Sequence, residues 1–433
     1  MPTATAAAKR TDARWWLVAP TLIVFVIVNQ LDKTNISVLI ADSGFVADLG
    51  VTGQHARLGF LSSAFFIGYG LSLLIWGFVV DRIGPRRSAI LGVLGWALTT
   101  GWCALAGGLT EMYIARFALG LTEGCMWPVC NTYVGRWFAV REHGRIQAFW
   151  INGAQIGIAL GLPIVTAILL TAGWRAVFVV FGAASLVILL PMLYWLAPDE
   201  PAQSRWVNHE ERLYIETHRP DSRRKRADVA QRAEGTQPAT KLQFLADLRF
   251  WLVALCHACL VATFFGLTTW IPTYLTKARG LPFTAMSAWV ACSYLIPVGL
   301  ALLIGYIADR TMRRATVGSI SSVVMAIMIL AAVLVPNTVV SMLLLVISMA
   351  APITYGAINT SIMHSLVAPE QIGRATGIFV GVANVLGAAG PTIVGWLIGI
   401  FRGEYLAAFG FISALNLAQA ILYFLVGLRE EPR

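Results

Sequence analysis

The sequence predicts an all-α integral membrane protein, with twelve transmembrane helices arranged as two pseudo-symmetric halves of six. Three observations predict it. The chain of 433 residues is 58% hydrophobic and only 12% charged, and a soluble protein of this length needs far more polar surface. It divides into apolar runs of about 20 residues or more, the length that a bilayer core requires. A polar signature also recurs at one fixed interval in the two halves, as in internally duplicated membrane folds.

The runs are expected at 15–40, 57–80, 88–107, 111–136, 145–170, 174–197, 249–276, 283–308, 314–335, 338–366, 371–399 and 404–428. The first begins at Trp15; it is too long for the core of a cleavable leader and has no convincing cleavage site, so it reads as a span. Span 1 carries Asp32-Lys33-Thr34-Asn35-Ile36-Ser37, and span 4 carries Arg116 and Glu123. Span 5 carries Asn152-Gly-Ala-Gln155, and span 7 carries Trp270-Ile-Pro272-Thr-Tyr274. Residues 198–247 break the pattern with Arg223-Arg-Lys-Arg226 and acidic stretches, and read as a linker between an N-terminal half (1–197) and a C-terminal half (248–433). Within it, Trp206 to Ile215 has the pattern of a short amphipathic helix on the membrane surface.

The halves are related. Gly77-Phe-Val-Val-Asp81-Arg82-Ile-Gly84-Pro-Arg86-Arg87 follows span 2, and Gly305-Tyr-Ile-Ala-Asp309-Arg310-Thr-Met-Arg313-Arg314 follows span 8, at an offset of 228 residues from Asp81 to Asp309. Span 5 (Asn152, Gln155, Gly157, Gly161, Pro163) echoes span 11 (Asn384, Gly387, Gly390, Pro391) at nearly the same offset.

Lys and Arg set the orientation. With the N-terminus inside, 25 of the 32 fall in inner loops and five (Arg57, Arg175, Lys277, Arg279, Arg402) in outer ones. Both termini are therefore expected in the cytoplasm. The net charge of +10 is this bias together with contact with anionic lipid, and not the footprint of a nucleic acid.

Two cations remain inside the membrane, Lys33 and Arg116, and the only acids placed deep in the spans are Asp32 and Glu123. Arg116 and Glu123 are two helical turns apart, so they share a face with Gly120 between them, where glycine leaves room. Charge inside a membrane helix is costly and usually faces a polar cavity or a partner, which makes a functional site the first expectation. The alternative is a structural ion pair, Arg116 with Glu123 or Asp32 with Lys33. The six cysteines all lie in apolar segments, and Cys256-His-Ala-Cys259 reads as packing, not as a metal site. His257 and His364 read as packing or interface residues. No nucleophile–base pair, phosphate loop or metal spacing appears, so neither an enzyme nor a bound cofactor is expected.

The duplicated G-x-x-x-D-R-x-G-x-R-R loop resembles the major facilitator superfamily. Asp32-Lys33-Thr-Asn35-Ile36-Ser37, the Arg116–Glu123 stretch, Asn152-Gly-Ala-Gln155, Glu210-Glu-Arg-Leu-Tyr-Ile215 and Trp270-Ile-Pro272-Thr-Tyr274 resemble the anion:cation symporter family within it. That family includes sugar-acid, tartrate, phthalate and hydroxyphenylacetate permeases, sialin and the vesicular glutamate transporters. The resemblance spans the whole chain. It implies a transporter of a bacterial inner membrane, working as a monomer, that imports a small organic anion with protons by alternating access. Glu123 and Asp32 would carry the protons. Lys33 and Arg116 would hold the anion, lined by Tyr69, Gln155 and Asn384 at positions that match the family's cavity. Asn152, Trp127 and Asn359 are further candidates for the lining. In this superfamily the repeated loops latch the halves in one state, which gives Asp81, Arg82, Arg86, Asp309 and Arg310 a gating role. There are departures: Lys33 stands where the family usually has Arg, Gln30 where it often has Tyr, and Leu73-Leu-Ile-Trp-Gly77 where it often has Q-x-P-G-G. An ammonium selects a carboxylate with less geometric precision than a guanidinium fork. A proton-driven antiporter that exports a metabolite or drug is the alternative. Against it, span 5 lacks the tight G-x-x-x-G-P-x-x-G-G run of such antiporters. A receptor on the same scaffold would be expected to carry a signalling domain, for which the central loop is short.

Overall fold

The computed structural model describes residues 11–219, 243–296, 310, 314–367 and 372–427, and every regular element among them is helical. The helices are α1 (Arg14–Leu39), α2 (Ser43–Asp48), α3 (His55–Ile83), α4 (Pro85–Leu105), α5 (Leu109–Glu123), α6 (Met126–Trp137), α7 (His143–Ala184), α8 (Leu190–Trp195) and α9 (His209–His218). They continue as α10 (Leu248–Thr273), α11 (Phe283–Leu295), α12 (Arg314–Leu334), α13 (Thr338–Ser348), α14 (Ala350–Leu366), α15 (Ile372–Gly387), α16 (Ala389–Ile400) and α17 (Leu406–Gly427).

Eight helical stretches among the described residues are long and apolar enough to cross a membrane. Other expected spans are divided. Span 4 is α5 and α6, interrupted by a turn at Gly124–Cys125. Pro128 explains the break, since it has no N–H to return to the Gly124 carbonyl. Spans 5 and 6 run together in α7, but the chain reverses at Gly173 (φ 80°), between the expected limits of 170 and 174. Leu98, Leu105, Val187, Ile421 and Phe424 lie on the outside of the bundle, as lipid-facing side chains do.

α1 packs along α7 through glycines. A side chain at Gly153, Gly157 or Gly161 would run into Ile23, Ile27 or Thr34, so these residues allow the close approach expected of them. α3 packs along α5 in the same way. A carbon added at Gly120 would lie 2.8 Å from the Tyr69 nitrogen. The room left by Gly120 is therefore filled by the backbone of α3 and is not part of a cavity.

The N-terminal helices (α1–α8) and C-terminal helices (α10–α17) are sealed together at the end that carries α2. There Ser63 Oγ is 2.7 Å from Thr392 Oγ1, and Phe66 stacks flat on Phe265 with centroids 3.4 Å apart. One apolar core, including Ile36, Leu162, Leu267, Trp270 and Val290, runs through both groups. Among the described residues the contact thins toward the other end of α3. Gly70 meets Asn384 and Val385, and Leu74 meets Gly381. A side chain at Gly77 would meet none of the described residues within 4 Å, and Phe78 is 79% exposed.

The amphipathic segment expected at 206–215 does form a helix, α9. Its Glu211, however, is fully buried under the start of α1. It accepts the N–H of Ala13 (2.8 Å) and of Arg14 (3.2 Å), the hydroxyl of Thr11, and Arg14 Nη1 at 2.7 Å. Arg14 also pairs with Glu142 at 3.0 Å. A carboxylate placed under the first turn of a helix takes amides that have no partner within the helix.

Candidate functional site

The four intramembrane charges come together between α1 and α5. Asn29, Asp32 and Lys33 lie within one turn of α1, and Arg116 and Glu123 project from α5. Asp32, Arg116 and Glu123 are fully buried, and Lys33 is half-buried.

Among the described residues, neither carboxylate forms an ion pair within 4.0 Å. Each turns instead to a neutral donor. Asp32 Oδ2 accepts the indole N–H of Trp96 in α4. Glu123 Oε2 accepts Asn29 Nδ2 at 3.0 Å. The other oxygens, Asp32 Oδ1 and Glu123 Oε1, meet no protein donor. The structural ion pairs are therefore not what is built. The reason is directional: Asp32 reaches α4, and Lys33, the next residue, reaches α3.

The cations rest on aromatic rings of α3. Lys33 Nζ lies 4.0 Å from the centroid of the Tyr69 ring. The Arg116 guanidinium lies 4.7 Å from that of Phe65. Phe65 and Tyr69 are one turn apart and stack on each other at 6.0 Å. Among the described residues Arg116 makes a single hydrogen bond, a long one of 3.5 Å from Nη1 to the backbone carbonyl of Asp32. Its Nε and Nη2 have no partner among those residues, and the Tyr69 hydroxyl faces the indole of Trp127.

The remaining expected residues divide. Asn384 packs against Gly70, next to Tyr69, although its amide also bonds the Val380 carbonyl of its own helix at 2.8 Å. Gln155 is half-buried on α7 with Oε1 unpartnered. Asn152 is exposed, its amide turned back to the Ala148 carbonyl at 2.7 Å. Trp127 lies beyond the interruption after Glu123 and packs edge-on against Trp150 at 5.0 Å. Asn359 does not join the charges. It is buried among the C-terminal helices, where it accepts the Tyr423 hydroxyl (2.6 Å) and faces His257 Nδ1 (3.4 Å).

Of the expected gating residues, Asp81 and Arg82 are exposed at the end where the two groups of helices part. Arg86 is tied within the N-terminal helices. Its backbone N–H goes to Asp199 (2.9 Å), and its side chain goes to the Tyr194 carbonyl (2.5 Å) and over the Tyr194 ring. Arg310 is at the surface, and Asp309 lies outside the described residues.

The sequence reasoning missed Phe65, Trp96 and Asn29. Asn29 had a signal, being a polar residue one turn before Asp32 on the same face. Phe65 and Trp96 had none, because an aromatic residue in an apolar run looks like packing.

Residues 22–391 match the family model described as Major Facilitator Superfamily. The chain is 25% identical to the probable galactarate/D-glucarate transporter of Bacillus subtilis (strain 168), over 98% of this chain and 93% of that protein. It is 30% identical to the probable sulfoacetate transporter of Cupriavidus necator, over 66% of this chain and 63% of that protein. Among solved structures, it is similar to a bacterial homolog of the human lysosomal transporter Spinster in an inward-facing and occupied conformation. That match has a TM-score of 0.75 and 16% identity, over 97% of each chain.

Proposed function

The chain belongs to the Major Facilitator Superfamily, and from that premise we propose that it is a proton-coupled secondary transporter that imports a small organic anion by alternating access. One observation carries this reading. Arg116 is a fully buried guanidinium whose Nε and Nη2 edge is unpaired, beside two carboxylates that it does not bind. That edge presents two parallel N–H groups, the geometry that takes a carboxylate in a bidentate grip. Lys33, resting on the face of Tyr69, supplies a second positive charge. Sugar acids, hydroxy-dicarboxylates and aromatic acids are the classes that fit, and transport of organic acids by the relatives supports the choice.

In this reading residues 1–197 and 248–433 are the rocking halves, 198–247 is the linker, and both termini are cytoplasmic. The sealed end then faces outward. Asp32 and Glu123 take protons from outside, the anion enters the Arg116–Lys33 site, and both leave on the inside. Asp81, Arg82, Asp309 and Arg310 latch the halves when the inner end closes.

The test is uptake into proteoliposomes under an inward proton gradient, with a panel of labelled sugar acids, tartrate, phthalate and hydroxylated aromatic acids. Glu123→Gln keeps an acceptor for Asn29 but cannot release a proton. It should lose gradient-driven accumulation and keep exchange of labelled for unlabelled anion. If no anion accumulates, and a preloaded compound instead leaves in exchange for protons, the protein is an antiporter.

A further inference from the structure

The two carboxyl groups of the site are held in one common way. Each gives one oxygen to a neutral N–H of another residue: Asp32 Oδ2 to the indole of Trp96, and Glu123 Oε2 to the carboxamide of Asn29. Each leaves its other oxygen with no protein donor. Both donors are themselves fully buried, so neither is exchanged for bulk water. Indole N–H and carboxamide N–H groups are uncharged, and they donate to a carboxylate or to the C=O of a protonated acid. A guanidinium in either place would hold the carboxyl in its charged form. A hydroxyl could rotate and accept from the acid's own O–H.

We propose that Asn29 and Trp96 are positioning residues for proton coupling. They fix which atom takes the proton, Oε1 of Glu123 and Oδ1 of Asp32, and keep each carboxyl in place in both protonation states. This rests on the proton-coupled reading above. The charged and titratable neighbours of the two carboxyls are each other, Lys33 on α1, Arg116 on α5, Tyr69 on α3, and the thiols of Cys103 on α4 and Cys125 before α6. α7 brings glycines against α1. Neither donor adds charge to this set, so its removal changes the field little and acts through the lost bond.

The sign follows. A hydrogen bond stabilises a carboxylate more than it stabilises the neutral acid. Without it the proton is held to higher pH, so the midpoint of proton-driven uptake against pH moves up. The expected shift is about one pH unit, a tenfold change in proton affinity or about 1.4 kcal/mol.

The experiment measures that midpoint in proteoliposomes, and anion exchange at low pH, for the native protein, Asn29→Leu, Asn29→Gln, Trp96→Phe and Phe25→Leu. Phe25 stacks on Trp96 at 6.3 Å, so its variant disturbs the same packing and keeps the N–H. Upward shifts in Asn29→Leu and Trp96→Phe with exchange retained, and a midpoint near native in Asn29→Gln and Phe25→Leu, support the proposal. If the native protein is gradient-driven and the two donor variants keep its midpoint, or if Phe25→Leu shifts it equally, Asn29 and Trp96 serve packing alone and the coupling reading survives. If the native protein shows no gradient-driven uptake, both readings fall.

Discussion

Gly59→Ala should weaken the seal between the two groups of helices. A methyl carbon at Gly59 would lie 2.8 Å from the carbonyl carbon of Pro391 and 3.0 Å from Thr392 Cα. These are backbone atoms and cannot move aside by rotating a side chain. Carbon atoms pack best at about 3.5–4.0 Å, so α3 and α16 must part by about 1 Å. Ser63 Oγ and Thr392 Oγ1, now 2.7 Å apart, would then pass beyond hydrogen-bond range, a loss of about 1 kcal/mol. The Phe66–Phe265 stack, two turns along α3, would give up part of its attraction and bring the loss to about 2 kcal/mol. That favours the state open at this end by roughly thirtyfold. Ser62→Cys in a cysteine-free background reports on it, because Ser62 is buried beside the seal and its hydroxyl makes no hydrogen bond. Its labelling by a membrane-impermeant maleimide should rise by about that factor when Gly59→Ala is added. An unchanged rate in a folded protein would mean that this contact does not decide access, and would remove the argument.

Two stability predictions follow from single side chains. Arg279 binds the carbonyls of Ala332 (2.9 Å), Val335 (2.8 Å) and Pro336 (3.1 Å) and the Tyr274 hydroxyl (2.7 Å). It thereby closes the end of α12, whose last carbonyls have no partner within the helix. Arg279→Ala should cost about 2 kcal/mol, read as a lower Tm in detergent, and Arg279→Lys should recover under half because one ammonium cannot reach so many acceptors. Glu211→Ala should cost about 3 kcal/mol, since it strips a buried acceptor from Arg14 and from two amides. Trypsin cleavage at Arg212 and Arg219 should quicken with it, whereas a helix merely lying on the membrane would leave the Tm unchanged.

How much could be read from the sequence depends on how far apart the interacting residues lie. The α7 reversal was legible because Gly173 sits where two apolar runs meet, and the pairing of Arg116 with Glu123 on one face follows from helical spacing alone. What those side chains bind was not legible. The spacing left a structural ion pair open as the alternative, but Asp32 bonds Trp96, 64 residues along the chain, and Glu123 bonds Asn29, 94 residues back. Nothing marks Trp96 among 15 tryptophans. Glu211 misled in the opposite sense. It stands in a polar, surface-like stretch, but its partners lie 197–200 residues away at the start of α1. Asn359 and Asn384 are both lone amides in apolar runs, and only the family resemblance set Asn384 apart. They differ because α15 lies against α3, whereas Asn359 faces inward among the C-terminal helices.

The placement of charge is lopsided, and this bears on how such a site would work. Asp32, Lys33, Arg116 and Glu123 all belong to the N-terminal helices. The described C-terminal group brings the uncharged amide of Asn384 beside Tyr69 and sets apolar side chains such as Val261 and Phe265 in the cluster that holds Phe65 and Tyr69. If the two groups separate, no ion pair among the described residues has to be broken between them. Among the described residues the contacts that part are apolar surfaces, the Phe66–Phe265 stack, the His55 ring against Trp270 and the Ser63–Thr392 hydroxyl pair. Desolvated ion pairs are costly to break, by about 3–5 kcal/mol each when one partner is lost, and a seal made of them would open slowly. Keeping these four charges on one side leaves the seal light and makes the electrostatics of the site a matter of the N-terminal helices. In the proposed reading, proton and anion would compete for the same small set of groups in either state of the seal, as coupled transport requires.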